Sequence, residues 1–289
     1  MPNPVTVDTV LPGYRLGTDQ GRVAFCGVNL IQGADEAGVH RRILVDTGHA
    51  GRREPLEAEL GRRGISPSDI DVLVCTHAHW DHIENLYLFG RAQVLIHQNE
   101  RRYARRPHTN DFGCPPWIGS VLDLFQDRIT QVQEGTQIIP GVRIVDAPGH
   151  SAGSMAVAAA TADGVAVIAG DAIQNSTVAV QRRNALVFWD DMLASRTISK
   201  LLEIADIIYP GHDQAFRIDA GNKAEYVQDF RLTLTYVSPS QPGLNFDENP
   251  GPDHFVMPGI EQQTLPDLDN QERRGSTVTL IKMQTICGR

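Results

Sequence analysis

Four residues suited to metal chemistry fall within six positions of one another: His77, His79, Asp81 and His82, in the run HAHWDH. Imidazole nitrogen and carboxylate oxygen suit zinc and its neighbours, and near pH 7 neither group has to give up a proton at much cost to bind a cation. The spacing divides the four. His77 and His79 alternate to one side, whereas Asp81 and His82 fall on the following turn, so two adjacent metals explain the run better than one. Histidines without such company, His40, His97 and His254, are expected to be structural or surface groups.

Such a cluster needs rigid support, and the residues around it supply candidates. Val72, Leu73, Val74 and Cys75 form an apolar run with the length and composition of a buried strand, and the polar cluster begins where that strand should stop. Upstream, Val5 to Ile31 reads as an antiparallel meander with turns at Pro12-Gly13, Gly17 and Gly21. Residues 40–46 read as a further buried strand, followed by the turn Asp46-Thr47-Gly48 and a helix over 54–63 with Leu56 and Leu60 on one face. Downstream, Ile83 to Phe89 is expected to be helical and Gln93 to Ile96 extended. Three later apolar runs, 142–145, 164–169 and 204–209, each end in glycine beside a histidine or aspartate: His150, Asp171 and His212. That repetition is what convergent ligands on parallel or mixed strands require.

With these residues in view, HAHWDH resembles the H-x-H-x-D-H signature of the metallo-beta-lactamase superfamily. ILVDTG at 43–48, DAPGHS at 146–151, AGDA at 169–172 and YPGH at 209–212 resemble its other motifs, in order, over about residues 20–235. THAHWDHIENLYLF and IIYPGHDQAFRI look closest to hydrolases of the glyoxalase II-like type, a group also found in animals. The resemblance implies an α/β fold, the αββα four-layer sandwich. It implies His77, His79 and His150 as ligands of a first metal, Asp81, His82 and His212 as ligands of a second, and Asp171 as the bridge. Zn2+, two per chain, is the expected cofactor, with iron or manganese as substitutes. The nucleophile would be hydroxide held on the metals, with Asp81 and Asp46 as the catalytic carboxylates and Asp46 bracing the ligand loop by hydrogen bonds.

The implied activity is hydrolysis of a small-molecule ester, lactone, thioester or amide. Two alternatives share the signature: a metal-dependent nuclease or phosphodiesterase, and a mononuclear iron oxygenase resembling persulfide dioxygenases. The oxygenases carry an arginine-rich motif after the fourth-motif aspartate, where AIQNSTVAV stands here. Lactonases of acyl-homoserine lactones place a tyrosine shortly after it, where this chain has Gln174.

The 289-residue chain carries a net charge of -9, which disfavours a nucleic-acid partner, and 41% hydrophobic residues, enough for a full core. No stretch approaches about 18 uninterrupted apolar residues, so no membrane partner is expected. The scattered Cys26, Cys75, Cys114 and Cys287 form no C-x-x-C pair, which fits a reduced, cytoplasmic location.

Residues 98–128 form a long connection with RRPHTNDFGCPPW at its middle, expected to be an irregular lid over the metals. Phe112 and Trp117 are its candidate apolar contacts with substrate. Arg105 and Arg106, with Arg101 and Arg102, form its basic run, either a solvated helix face or a site for an anionic substrate. The domain is expected to span 1–235. A Pro/Gly-rich extension over 236–289 reads as an extended tail with a terminal strand at 276–286, which leaves a homodimer through that strand open.

Overall fold

In the computed structural model, residues 4–235, 238, 240, 242 and 254–265 are described. The expected terminal strand at 276–286 lies outside them. Two sheets carry the fold. The first has six strands in the order Thr6–Leu11, Val28–Ala34, His40–Val45, Val72–Cys75, Gln93–His97 and Ile129–Val132. The second has seven, in the order Ala224–Tyr226, Phe216–Ile218, Ile207–Pro210, Gly164–Gly170, Met155–Thr161, Val142–Asp146 and Gln137–Ile139.

The layering follows from side-chain alternation, since successive residues of a strand face opposite ways. Ile43, Val45, Ile31 and Val74 pack with Val142, Ile144, Val157 and Ile168 in one cluster between the sheets. Their strand neighbours Leu30, Leu44 and Leu73 join Leu56 and Leu60, from helix Arg53–Arg62, in a second cluster on the outer face of the first sheet. Val145, Ala156, Val167 and Ile208 meet Val178, Ile198 and Leu201, from helices Ser176–Gln181 and Asp191–Ile204, in a third. Helix, sheet, sheet and helix are therefore stacked in that order, the four-layer αββα arrangement. The two sheets contain the parallel pairs 40–45 with 72–75 and 164–170 with 207–210, so the loops leaving these strands emerge side by side.

Several elements differ from expectation. Tyr14–Thr18 and Gly21–Phe25 form a separate hairpin rather than extending the first sheet. Residues 83–89 are not one helix: a single turn at Trp80–Ile83 is followed by a short 3-10 turn at Leu86–Leu88. Between them, buried Asn85 directs its side-chain amide to the carbonyls of Thr47, Gly48 and His49, tying down the Asp-Thr-Gly loop. Ile204 ends helix Asp191–Ile204, an element without a sequence expectation, and the strand starts only at Ile207.

Residues 98–128 are more ordered than an irregular lid, with helices at Gln98–Tyr103 and Ile118–Asp123 and buried Tyr103, Asp111, Cys114 and Ile118 between and along them. Within the extension, residues 255–257 are packed: Phe255–Val256 pairs in parallel with Leu186–Val187, and Met257 is buried. No helix among the described residues is long and apolar enough to cross a membrane.

Candidate metal centre

Loops at the ends of four strands bring the chemistry together. His77 and His79 follow Val72–Cys75, and Asp81 and His82 sit on the helical turn Trp80–Ile83. His150 follows Val142–Asp146, Asp171 follows Gly164–Gly170, and His212 follows Ile207–Pro210. All seven side chains are buried. Their donor atoms form overlapping groups, each within 4.8 Å: His77, His79 and His150; His77, His82 and Asp171; Asp81, His82 and His212. Asp171 lies between the outer groups. Its Oδ1 is 3.1 Å from His212 Nε2 and 3.3 Å from His82 Nε2, while its Oδ2 is 3.5 Å from His150 Nε2.

The donor set fits cations. Nε2 of His77 and His82, Oδ2 of Asp81 and Oδ1 of Asp171 are buried without hydrogen-bond partners, where nearly all buried polar atoms are normally satisfied. His82 donates from Nδ1 to Asp46 Oδ2 at 2.8 Å, which aims the Nε2 lone pair at two carboxylates unless a cation or proton intervenes. Burial pushes the Asp171 carboxyl up, but His212 and His82 outweigh it and hold it well below the usual carboxylate range. The site therefore presents ionised oxygen and imidazole nitrogen, the set that zinc and similar divalent ions take.

Outer hydrogen bonds fix these ligands. Asp46, with φ of 59°, ends its strand so that its carboxylate accepts from Thr76 N, Thr76 Oγ1 and His82 Nδ1, each at 2.8 Å. His150 donates from Nδ1 to Leu186 O at 2.6 Å. Phe188 N and Asp190 N in turn donate to the carbonyls of His150 and Gly149. Gly149, at φ of 132°, lies so close to the backbone of Ala194 that a Cβ would collide with it. The tight DAPGH bend is thus held by the helix that starts at Asp191.

Three positioning residues were not anticipated. Fully buried Glu100 accepts from Ala78 N, Ser151 Oγ and Gly153 N at 2.9, 2.7 and 2.8 Å, clamping the loops of His77 and His150 to each other. In the sequence it sits in QNERRYARR, which has the composition of a solvated helix. Asp111 places Oδ1 3.4 Å from His79 Nε2 and accepts from Tyr103 Oη at 2.8 Å. It also receives the amides of Gly113 and Cys114. The adjoining Gly113 lies against the His79 ring, leaving no room for a Cβ. Gln174 donates to Asp171 Oδ2 at 3.2 Å.

The candidate substrate contacts are spread more widely. Phe112 is 61% exposed and packs edge-on against Phe188, and Trp117 is 48% exposed. Arg101 is buried and pairs with Asp123, which Arg105 also approaches at 3.6 Å. Among the remaining histidines, His97 caps helix Gln98–Tyr103 and reaches Asp146 at 3.2 Å. His254 hydrogen-bonds Asn184 O, and His40 is exposed.

A four-layer sandwich gathering buried histidine and aspartate at its strand ends defines a protein built to bind metal. Residues 31–212 match the family model of the metallo-beta-lactamase superfamily, and the chain belongs to that superfamily as one of its metallo-hydrolases. Human metallo-beta-lactamase domain-containing protein 1 is 30% identical over 219 residues, 74% of this chain and 73% of the human one. A protein of Methanocaldococcus jannaschii named as a probable metallo-hydrolase is 27% identical, covering 60% of this chain and 84% of its own. Among solved structures, a dizinc quorum-quenching lactonase with a homoserine product bound has a TM-score of 0.56 at 17% identity, over 74% of this chain and 82% of the lactonase.

Proposed function

We propose that this chain is a dinuclear metallo-hydrolase acting on a small-molecule ester, lactone, thioester or amide. His77, His79 and His150 would hold one divalent cation, Asp81, His82 and His212 a second, and Asp171 both. The observation that carries the reading is the Asp171 carboxylate, whose two oxygens are directed at different histidine groups. When bound, such a pair of cations supplies an acidified water as nucleophile and a Lewis acid for the substrate oxygen. Zinc is the metal the nitrogen-rich donor set favours.

The chain's own residues do the remaining work. Asp46 keeps the proton of His82 on Nδ1, so that Nε2 points inward. Leu186 O does the same for His150. Asp81 brings a negative charge between His82 and His212, keeping the second group anionic enough for a cation. Glu100 and Asp111 hold the loops at fixed separation, which matters because small misplacements of reacting groups cost large factors in rate. The fold shared with the dizinc lactonase is consistent with acyl chemistry.

Elemental analysis of protein purified without chelator, together with a screen of lactones, thioesters, aryl esters and a single-stranded RNA, tests the reading. Zinc with turnover of an acyl substrate is expected. A single iron with oxygen uptake on a persulfide would replace it by the oxygenase chemistry, and cleavage of RNA alone would replace it by a nuclease.

A further inference from the structure

The wall beside His79 and His150 is aromatic and runs outward to solvent. Phe188, fully buried, stands edge-on to both imidazoles, with ring centroids 5.1 Å from His79 and 5.4 Å from His150. Phe112 meets Phe188 edge-on at 5.0 Å. Phe255 lies 5.9 Å from Phe188 and 5.8 Å from Phe112. Three rings from segments far apart in sequence thus make a continuous shelf, its inner end against candidate ligands and its outer end, Phe112, 61% exposed.

The C-terminal segment is tied into this wall by specific bonds. Phe255 N donates to Ala185 O at 2.8 Å and Met257 N to Val187 O at 2.9 Å. Asn110 Nδ2 donates to Pro258 O at 2.7 Å, which fastens the segment to the 98–128 connection. Gln263 Nε2 donates to Phe188 O at 2.6 Å. The same short strand, Leu186–Val187, therefore supports His150 through Leu186 O and Phe255 through its edge.

We propose that Phe112 and Phe255, packed on buried Phe188, form a binding subsite for an apolar acyl or aryl arm of the substrate, completed by the C-terminal segment. The proposal rests on the hydrolase reading above. Two accessible aromatic rings, Phe112 and Phe255, packed on a buried third that abuts candidate metal ligands mark ligand binding, whereas a single exposed phenylalanine would not. An apolar arm is favoured over an anionic one because the shelf is built of three phenyl rings, and Arg101 and Arg105 are directed to Asp123. The arm would lie along Phe112 and Phe255 while the reacting carbonyl is directed toward the candidate metal centre.

The test uses the metal-loaded full chain and straight-chain carboxylates from butanoate to decanoate, titrated by calorimetry. The dissociation constant should fall about two- to fourfold per added methylene, as expected when each leaves water, until the shelf is filled. Phe255→Ala should flatten the series with metal content unchanged. Phe112→Ser should do the same, and its exposure makes misfolding no explanation. Equal slopes in all three proteins, or no slope in the wild type, would overturn the proposal. So would a wild-type dimer that Phe112→Ser dissociates without changing the slope, since the shelf would then be an interface between copies. Because binding needs no turnover, a sloped series in a protein that hydrolyses nothing would sink the hydrolase reading alone. Turnover without a slope would sink the shelf alone.

Discussion

Nδ1 of His79 and Nε2 of His150 face each other across 3.1 Å. A hydrogen bond between them would need a proton on one of these nitrogens. His150 spends its proton on Leu186 O through Nδ1, and His79 turns Nε2 to Asp111, which favours the tautomer with the proton there. Two lone pairs then point at one volume, and the arrangement is favourable when a cation fills it.

The first prediction is therefore about metal content. Wild-type protein should carry about two equivalents of divalent metal. His79→Ala should lose mainly one, whereas Asp171→Ala should weaken both and abolish activity, because removing the shared carboxylate leaves neighbouring cations unscreened. Full metal occupancy with near-normal turnover in Asp171→Ala would refute the dinuclear arrangement.

Asp111→Asn probes the link between the 98–128 connection and the candidate centre. Loss of charge beside His79 Nε2 should reduce metal affinity or activity by about 10- to 100-fold, as for other outer partners of metal-binding histidines. Competition with a chromophoric chelator reads this directly. Unchanged affinity in a folded variant would make Asp111 a loop residue only, serving Gly113 and Cys114.

Glu100→Gln should act on stability. The substitution turns an amide donor toward one of the positions now accepting from Ala78 N, Ser151 Oγ and Gly153 N. Leaving buried donors unsatisfied costs about 2–3 kcal/mol, which lowers Tm by about 5–10 °C in a domain of this size. Calorimetric melting at matched metal load checks it, and a Tm unchanged within error would mean the two loops are held by other contacts.

A pH effect follows from Asp146. The hydrogen bond from His97, followed by burial acting in the opposite direction and by the charges of His97 and Lys200, leaves its folded pKa below the ordinary value. A depressed carboxylate contributes stability that is present above its unfolded pKa of about 3.9 and is lost as pH falls through the folded value. Wild type should therefore lose stability toward Asp146→Asn below about pH 4. Denaturant unfolding at pH 6 and pH 3.5 measures the difference, and a gap that stays constant or widens on acidification would contradict it.

The sequence by itself determined the elements whose cause is local. Apolar runs such as Val72–Cys75 specify strands because each residue finds cover on both faces, and their abrupt ends at HAHWDH, DAPGH, GDA and PGH marked where polar groups would emerge. Leu56 and Leu60 specified a helix by spacing alone. Tertiary structure decided what depends on neighbours distant in the chain. Residues 83–89 have helical composition, yet Asn85 gains more by satisfying three carbonyls of the 47–49 loop than by continuing a helix. Glu100 and Asp111 look like surface residues, because a carboxylate's burial is set by which backbone amides the fold brings to it and not by its flanking residues. The aromatic shelf is the extreme case: Phe112, Phe188 and Phe255 share no periodicity, and the parallel pairing of 186–187 with 255–256, together with the Asn110–Pro258 hydrogen bond, places them in one wall.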